Sequence, residues 1–163
     1  MSIKKISLIS LFIALSVAGA SIKIPAIVSS VALDMVPALL GGVMFGSIPG
    51  AIIAFVAHLL SALLGGMPLG PFHLLIGLEM AVLVWLFAVF YKKGMRWLAS
   101  ILFVAGNTLI APLPFLFLMG MGFYLGMLPS LFIGALINTV IALILAPRLI
   151  RFYEGRFHKE AVK

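Results

Sequence analysis

The chain has 163 residues, of which 64% are hydrophobic and only 9% are charged. A soluble globular domain carries about 25% charged residues, and a chain of this size leaves roughly 30% of its unfolded surface exposed after folding. This sequence lacks the polar residues to cover such a surface, which excludes a soluble domain and a disordered tail. Cysteine is absent, so disulfides and thiolate metal sites are excluded as well.

Six apolar stretches follow one another along the chain, separated by clusters of Gly, Pro and charged residues. A bilayer needs about 20 apolar residues per helix, and backbone hydrogen bonds in lipid must be made internally. The period-two alternation of a membrane barrel is missing. We therefore predict an all-α integral membrane protein with six transmembrane helices. They lie at about 6–20, 31–45, 50–64, 72–90, 97–118 and 123–146, in a single domain over 1–163 that ends in a basic tail at 147–163.

The charge is lopsided, since eleven Lys and Arg residues stand against four Asp and Glu, giving a net charge of +7. Six spans place both termini on one side of the membrane, and ten of the eleven cations fall on that side. These are Lys4, Lys5, Lys92, Lys93, Arg96 and the five cations of the tail; Lys23 alone falls on the other side. Cytoplasmic segments of membrane proteins carry such an excess, so both termini are predicted to be cytoplasmic.

The N-terminus allows a second interpretation. Lys4 and Lys5, the apolar run from Ile6 and the sequence Ala18-Gly19-Ala20 together imitate a signal peptide with its cleavage site. Removing this segment would leave every other loop on its predicted side, so the charges do not decide. We favour a first membrane helix, because small residues in membrane helices more often let two helices approach closely.

Few polar side chains lie within the predicted spans, and each is a candidate for function because a polar or charged group in hydrocarbon is costly. They come from five segments and gather in the half of the bilayer away from the cationic side, as expected for a cavity that opens to the outside. The predicted substrate-binding residues are Asp34, His58, Ser61, Phe72, His73, Glu79, Asn107 and Asn138.

Each candidate also has a purely structural interpretation. His58 and Asn138 are of types that form hydrogen bonds between membrane helices, and Asp34 could cap a helix. Glu79 is harder to explain in this way, because a carboxylate in hydrocarbon must be protonated, paired or in contact with water.

Residue spacing assigns some of these side chains to common helix faces. Ser130, Gly134 and Asn138 follow one another at intervals of four and form a small, polar stripe on the last span. Phe72 and Glu79 lie seven apart and share a face that could present a ring and a carboxylate to one ligand.

Several kinds of chemistry have no signal in this sequence. The common zinc-protease, serine-hydrolase and Walker motifs are missing, so the chain does not drive transport with ATP by itself. No close ligand spacing supports a metal, and no cofactor is predicted. An alternative function is a membrane enzyme acting on a lipid or isoprenoid, with His58, His73 and Glu79 as acid and base.

The overall pattern resembles the substrate-binding S component of an energy-coupling factor (ECF) vitamin transporter. It consists of six short helices, Ala14 and Ala18 as an Ala-x-x-x-Ala motif in the first of them, a long first outer loop and an outward cavity. The most specific block is 46–80, GSIPGAIIAFVAHLLSALLGGMPLGPFHLLIGLEM. This block is similar to the members of the family assigned to α-ribazole, the nucleoside that supplies the lower base of cobalamin.

The resemblance implies a transport subunit in the bacterial cytoplasmic membrane rather than an enzyme. Such a subunit captures a vitamin or precursor from outside and docks on a transmembrane coupling subunit that carries two cytoplasmic ATPases. The docking face would include Ala14 and Ala18, and the predicted polar residues would line the cavity. The N-terminal histidine of the nickel and cobalt branch is absent from MSIKK, which argues against those metals as cargo. Thiamine and riboflavin are alternative cargoes.

Overall fold

A computed structural model describes residues 3–25 and 30–157, and this part of the chain folds into a helical bundle with one short β-hairpin. The elements are α1 Ile3–Ser21, β1 Lys23–Pro25, β2 Ser30–Ala32, α2 Met35–Phe45, α3 Ser47–Leu64, α4 Phe72–Lys92, α5 Arg96–Ala105, a π-helical turn Gly106–Ile110, α6 Leu113–Met119 and α7 Met121–Phe157. Among the described residues, five stretches are long and apolar enough to cross a membrane: Ile3–Ser21, Ser47–Leu64, Phe72–Lys92, Arg96–Met119 and Met121–Gly155. The predicted all-α membrane fold is confirmed.

The second predicted span begins later than expected. Ser30–Ala32 does not belong to a helix but pairs antiparallel with Lys23–Pro25. The helix itself, Met35–Phe45, is about 16 Å long at 1.5 Å per residue, which is too short to cross the hydrocarbon core alone. Nine of its eleven residues are buried, because α1, α3, α4 and α7 all contact it. The prediction of a helix at 31–45 is therefore wrong at its start.

The last helix continues beyond the end predicted for it. We expected Pro147 to break the helix, but α7 passes through Pro129 and Pro147 and reaches Phe157. A proline removes one backbone donor, yet packing on both sides of Pro147 maintains the helix. Ala142 and Ala146 are buried before it, and the ring of Tyr153 lies 5.5 Å from that of Phe45 after it.

The fifth span is interrupted near its middle. Pro112 has no N–H group and so cannot bond to the carbonyl of Thr108, four residues earlier. The preceding residue, Ala111, instead donates its N–H to the carbonyl of Gly106 at 2.8 Å, which is the i to i−5 bond of a π turn. The turn rotates the residues that follow it, so face assignments based on an ideal α-helix fail beyond this point.

The two ends of the bundle differ in charge. Lys92 and Arg96 lie beside the end of α2 and the last turns of α7, around one cavity that also includes Glu154. Asp34 stands at the other end of α2. The structure thus places these cations at one end of the bundle and Asp34 at the other, where β1 also brings Lys23. The assignment of the cationic end to the cytoplasm stays a prediction.

Helices α2, α3 and α4 pack closely around two glycines. At this point the backbones of α2 and α3 touch without side chains between them. A Cβ atom added to Gly50 of α3 would overlap the backbone of Gly42 in α2, and one added to Gly42 would lie 3.0 Å from the Cβ of Ala88 in α4. This close approach places α2 deep in the bundle.

We expect Gly50→Ala to lower the melting temperature in detergent by several degrees. Overpacking costs about 1–3 kcal/mol, which outweighs the gain of about 1 kcal/mol from replacing a helical glycine. Gly122→Ala is the matched control, because nothing lies within 4 Å of its added Cβ. Equal melting temperatures for the two variants would contradict the crossing.

Candidate functional site

A cavity of about 270 Å³ lies at the end of the bundle that holds Asp34. Residues from α2, α3, α4, the π turn and α7 surround it. Its polar lining consists of Asp34, His58, Asn107, Ser130 and Asn138, and its apolar lining includes Met35, Ile76, Met80, Met127 and Leu131. None of the described lining residues is Lys or Arg.

The structure brings four of the eight predicted substrate-binding residues together in this cavity, namely Asp34, His58, Asn107 and Asn138. A fifth, His73, stands behind His58 and touches it. The other three predicted residues, Ser61, Phe72 and Glu79, lie elsewhere. The binding role of each residue stays a prediction. The structure shows only that these five residues lie in or next to one cavity.

Asn138 connects three elements through its side-chain amide. Its Oδ1 accepts hydrogen bonds from the N–H groups of Met35 and Val36, at 3.1 and 3.0 Å. Its Nδ2 donates to the carbonyls of Ala32 and Gly134, at 2.8 and 2.9 Å. These four bonds use the usual hydrogen-bonding capacity of the amide. The structure therefore supports the structural interpretation of Asn138, because its side chain caps the start of α2 from a neighbouring helix.

The π turn presents Asn107 to the cavity. Within the described part of the chain, the side chain of Asn107 has no hydrogen-bond partner. Inserted π turns occur frequently at functional sites, because the extra residue redirects side chains. The amide of Asn107 is thus free to donate to a ligand and to accept from it.

The two histidines form an ordered pair. Nε2 of His58 and Nδ1 of His73 are 3.2 Å apart, and the N–H of Leu69 donates to Nε2 of His73 at 3.4 Å. Because Nε2 of His73 accepts this bond, neutral His73 carries its proton on Nδ1 and donates it to His58. Neutral His58 then carries its own proton on Nδ1. In this network Nδ1 of His58 keeps its proton, and His58 is the member of the pair that lines the cavity.

Asp34 lies directly before α2 and supplies the carboxylate of the cavity lining. Burial raises the pKa of this carboxyl group to about 6, while the backbone N–H groups of Asp34 and Met35 oppose the rise. At pH 7 the group is mainly ionised and accepts hydrogen bonds from hydroxyl groups. Below pH 6 it is mainly protonated.

Some residues of the cavity lining are not among the predicted site residues. Ser130 belongs to the stripe that ends in Asn138, and its buried hydroxyl has no partner among the described residues. The stripe itself was the signal that could have found it. Met35, Met80 and Met127 carried no such signal, because methionine fills apolar cores wherever its flexible side chain fits and so does not mark a ligand site.

The predicted common face of Phe72 and Glu79 does not face this cavity. The ring of Phe72 packs on that of Phe115 at 5.9 Å, and Phe115 packs on Phe123 at 6.2 Å. Glu79 instead lines a separate crevice of about 230 Å³ between α4 and the π turn, where every other lining residue is apolar. The Oγ of Ser61 is buried without a partner among the described residues, and this residue lies outside the cavity lining.

A model of the ECF transporter substrate-specific component family matches residues 4–153. The chain therefore belongs to the substrate-specific, or S, components of ECF transporters. No curated protein matches it significantly in sequence. Membership makes the chain an integral membrane subunit that binds a small molecule and docks on an energy-coupling module. It is a transport subunit and not an enzyme, so the alternative of a membrane enzyme that uses His58, His73 and Glu79 is wrong.

We expect Asn138→Ala to destabilise the protein by about 1–3 kcal/mol, because it leaves buried N–H and carbonyl groups without partners. Single hydrogen bonds between membrane helices average only about 0.6 kcal/mol, but this substitution removes four together. Ser130→Ala is the control, since its hydroxyl has no partner to lose. Thermal unfolding in detergent measures both, and an unchanged Asn138→Ala variant would show that the amide does not hold α2.

Proposed function

We propose that this S component captures α-ribazole from outside the cell and delivers it, through an ATP-driven coupling module, for cobalamin synthesis. The observation that carries the proposal is a cavity with neutral and acidic polar groups, an apolar wall and no Lys or Arg in its described lining. The resemblance of residues 46–80 to α-ribazole members of the family is the independent sequence argument.

The chemistry of this cargo suits the cavity. Its ribose hydroxyls would donate to the carboxylate of Asp34 and exchange hydrogen bonds with Asn107 and Ser130. Its benzimidazole nitrogen accepts a hydrogen bond, which the Nδ1–H of His58 would supply. The dimethylbenzimidazole ring would lie against methionines, whose flexible, polarisable side chains adapt to flat rings.

Size and charge argue against other cargoes. A volume of about 270 Å³ lies just below the roughly 300–1,000 Å³ of typical ligand sites, which suits a nucleoside rather than complete cobalamin. Folate, biotin and pantothenate carry carboxylates that would meet no described cation in the lining. Thiamine is itself a cation and would find one carboxylate there. Riboflavin, a neutral ring with a polyol chain, is the closest competitor on these criteria.

A thermal-shift panel tests the cargo. The purified chain in detergent is mixed with α-ribazole, riboflavin, thiamine, biotin and folate. A ligand at 100 times its Kd stabilises the folded state by about 2.7 kcal/mol, and we expect this shift with α-ribazole. If only another compound stabilised the chain, the assignment of α-ribazole as the cargo would be wrong, and the role as an S component would stand.

Substitutions in the same assay test the site. His58→Leu and Asn107→Leu should each weaken α-ribazole binding at least tenfold, whereas Glu79→Gln should change it less than twofold because Glu79 lies in another crevice. A large effect of Glu79→Gln on α-ribazole affinity would instead place the binding site in the crevice of Glu79.

The affinity for α-ribazole should also fall as the pH drops through about 6, since protonated Asp34 accepts hydrogen bonds less well. Asp34→Asn should reduce this pH dependence.

The proposed docking face lies on α1. Ala14 and Ala18 are exposed, while Phe12, Ser16 and Gly19 on the opposite side of the helix are buried against the bundle. An exposed face of small residues allows another membrane helix to approach closely. This geometry supports docking of the coupling subunit along α1.

We expect Ala14→Trp and Ala18→Trp to abolish vitamin uptake by cells that contain the coupling module while leaving ligand affinity unchanged. A bulky ring prevents close helix contact at this face, and neither alanine lines the cavity. Ile144→Trp is the control, because Ile144 is an exposed residue of α7. Normal uptake with both alanine variants, or loss of ligand binding, would contradict the assigned face.

A further inference from the structure

A second cavity, of about 410 Å³, lies at the cationic end of the bundle. It forms where the end of α2, the loop after α4 and the last turns of α7 meet. Its polar lining consists of Tyr91, Lys92, Arg96, Tyr153 and Glu154. Neither the substrate nor the docking face on α1 uses these residues.

One buried donor that lines this cavity lacks an acceptor among the described residues, and two exposed cations lie beside it. Tyr91 is 6% exposed, and its hydroxyl has no partner among the described residues. The guanidinium group of Arg96 lies 5.2 Å from the centre of the Tyr91 ring, which holds this cation beside the cavity. Within the described ranges neither Lys92 nor Arg96 forms an ion pair, and the single carboxylate of Glu154 does not balance the two cations. A buried hydroxyl without a partner is costly, so this arrangement is suited to an oxyanion.

An apolar groove begins next to this cavity. It has a volume of about 430 Å³ and runs between α5, the π turn and α7. Trp97 stands at its start, directly after Arg96, and Leu143 lines it on α7. Ile150 of the cavity lies seven residues after Leu143, on the same helix face and about 10 Å further along.

We propose that the cavity and the groove together bind one anionic phospholipid. The phosphate accepts hydrogen bonds from Tyr91, Lys92 and Arg96, and an acyl chain lies in the groove beyond Trp97. A polar site with two cations fits the phosphate, and the neighbouring apolar groove fits a chain rather than a second polar group. Under the positive-inside rule this end faces the leaflet that carries anionic lipids.

Lipid titration of the delipidated chain, followed by native mass spectrometry and thermal shift, tests this proposal. We expect phosphatidylglycerol to bind at least tenfold more tightly than phosphatidylcholine, and inorganic phosphate at the same concentration to give little shift. Equal binding of the two lipids would overturn the site. If inorganic phosphate alone raised the melting temperature as much as phosphatidylglycerol does, the cavity would bind free phosphate, and the proposal of a lipid would be wrong.

Variants separate a built site from general electrostatic attraction. Arg96→Gln should remove the preference for phosphatidylglycerol, and Tyr91→Phe, which keeps the ring, should weaken it several-fold. Lys93→Gln removes the same charge nearby but does not line the cavity, so it should keep the preference. Val140→Trp fills the groove and should weaken lipid binding. An effect of Lys93→Gln equal to that of Arg96→Gln, or no effect of Val140→Trp, would contradict the proposal.

Discussion

The side-chain amide of Asn138 holds the first turn of α2 between β2 and α7, and the cavity proposed to bind the substrate depends on this contact. A helix that starts inside an apolar bundle exposes N–H groups that neither lipid nor water can satisfy there, so another part of the chain must accept their hydrogen bonds. Asn138 does so from a neighbouring helix. It thereby fixes Asp34, directly before the helix, and Met35 in the lining of the cavity. The close crossing of Gly42 and Gly50 holds the same short helix further along its length.

The fold separates three tasks in space. The cavity occupies one end of the bundle, where a helix start, a histidine pair and a π turn meet. The cationic end carries the lysines and arginines that set the predicted orientation, together with the proposed lipid site. The exposed alanines lie on α1, outside the lining of either cavity. An S component must bind its cargo and also contact a separate module, and this separation lets a change at one surface leave the others intact.

Composition and spacing were sufficient to predict the all-α membrane fold and most helix positions, because both follow from the length and polarity of apolar segments. The strand at Ser30–Ala32 was missed because its partner is set by tertiary pairing. In the same way, the scarcity of polar residues identified Asp34, His58 and Asn107, but it did not reveal what each one touches. Depth along a helix follows from a fixed rise per residue, whereas its rotation depends on packing against neighbours. Glu79 was therefore predicted at the right helix but on the wrong face for the cavity.

A structure of the chain with bound α-ribazole tests whether this cavity is the binding site. We expect the ribose beside Asp34 and Asn107, the ring against the methionines of the cavity, and the amide of Asn138 still bonded to the first turn of α2. A nucleoside bound in the crevice of Glu79, or an Asn138 amide that has turned from α2 to the ligand, would contradict it.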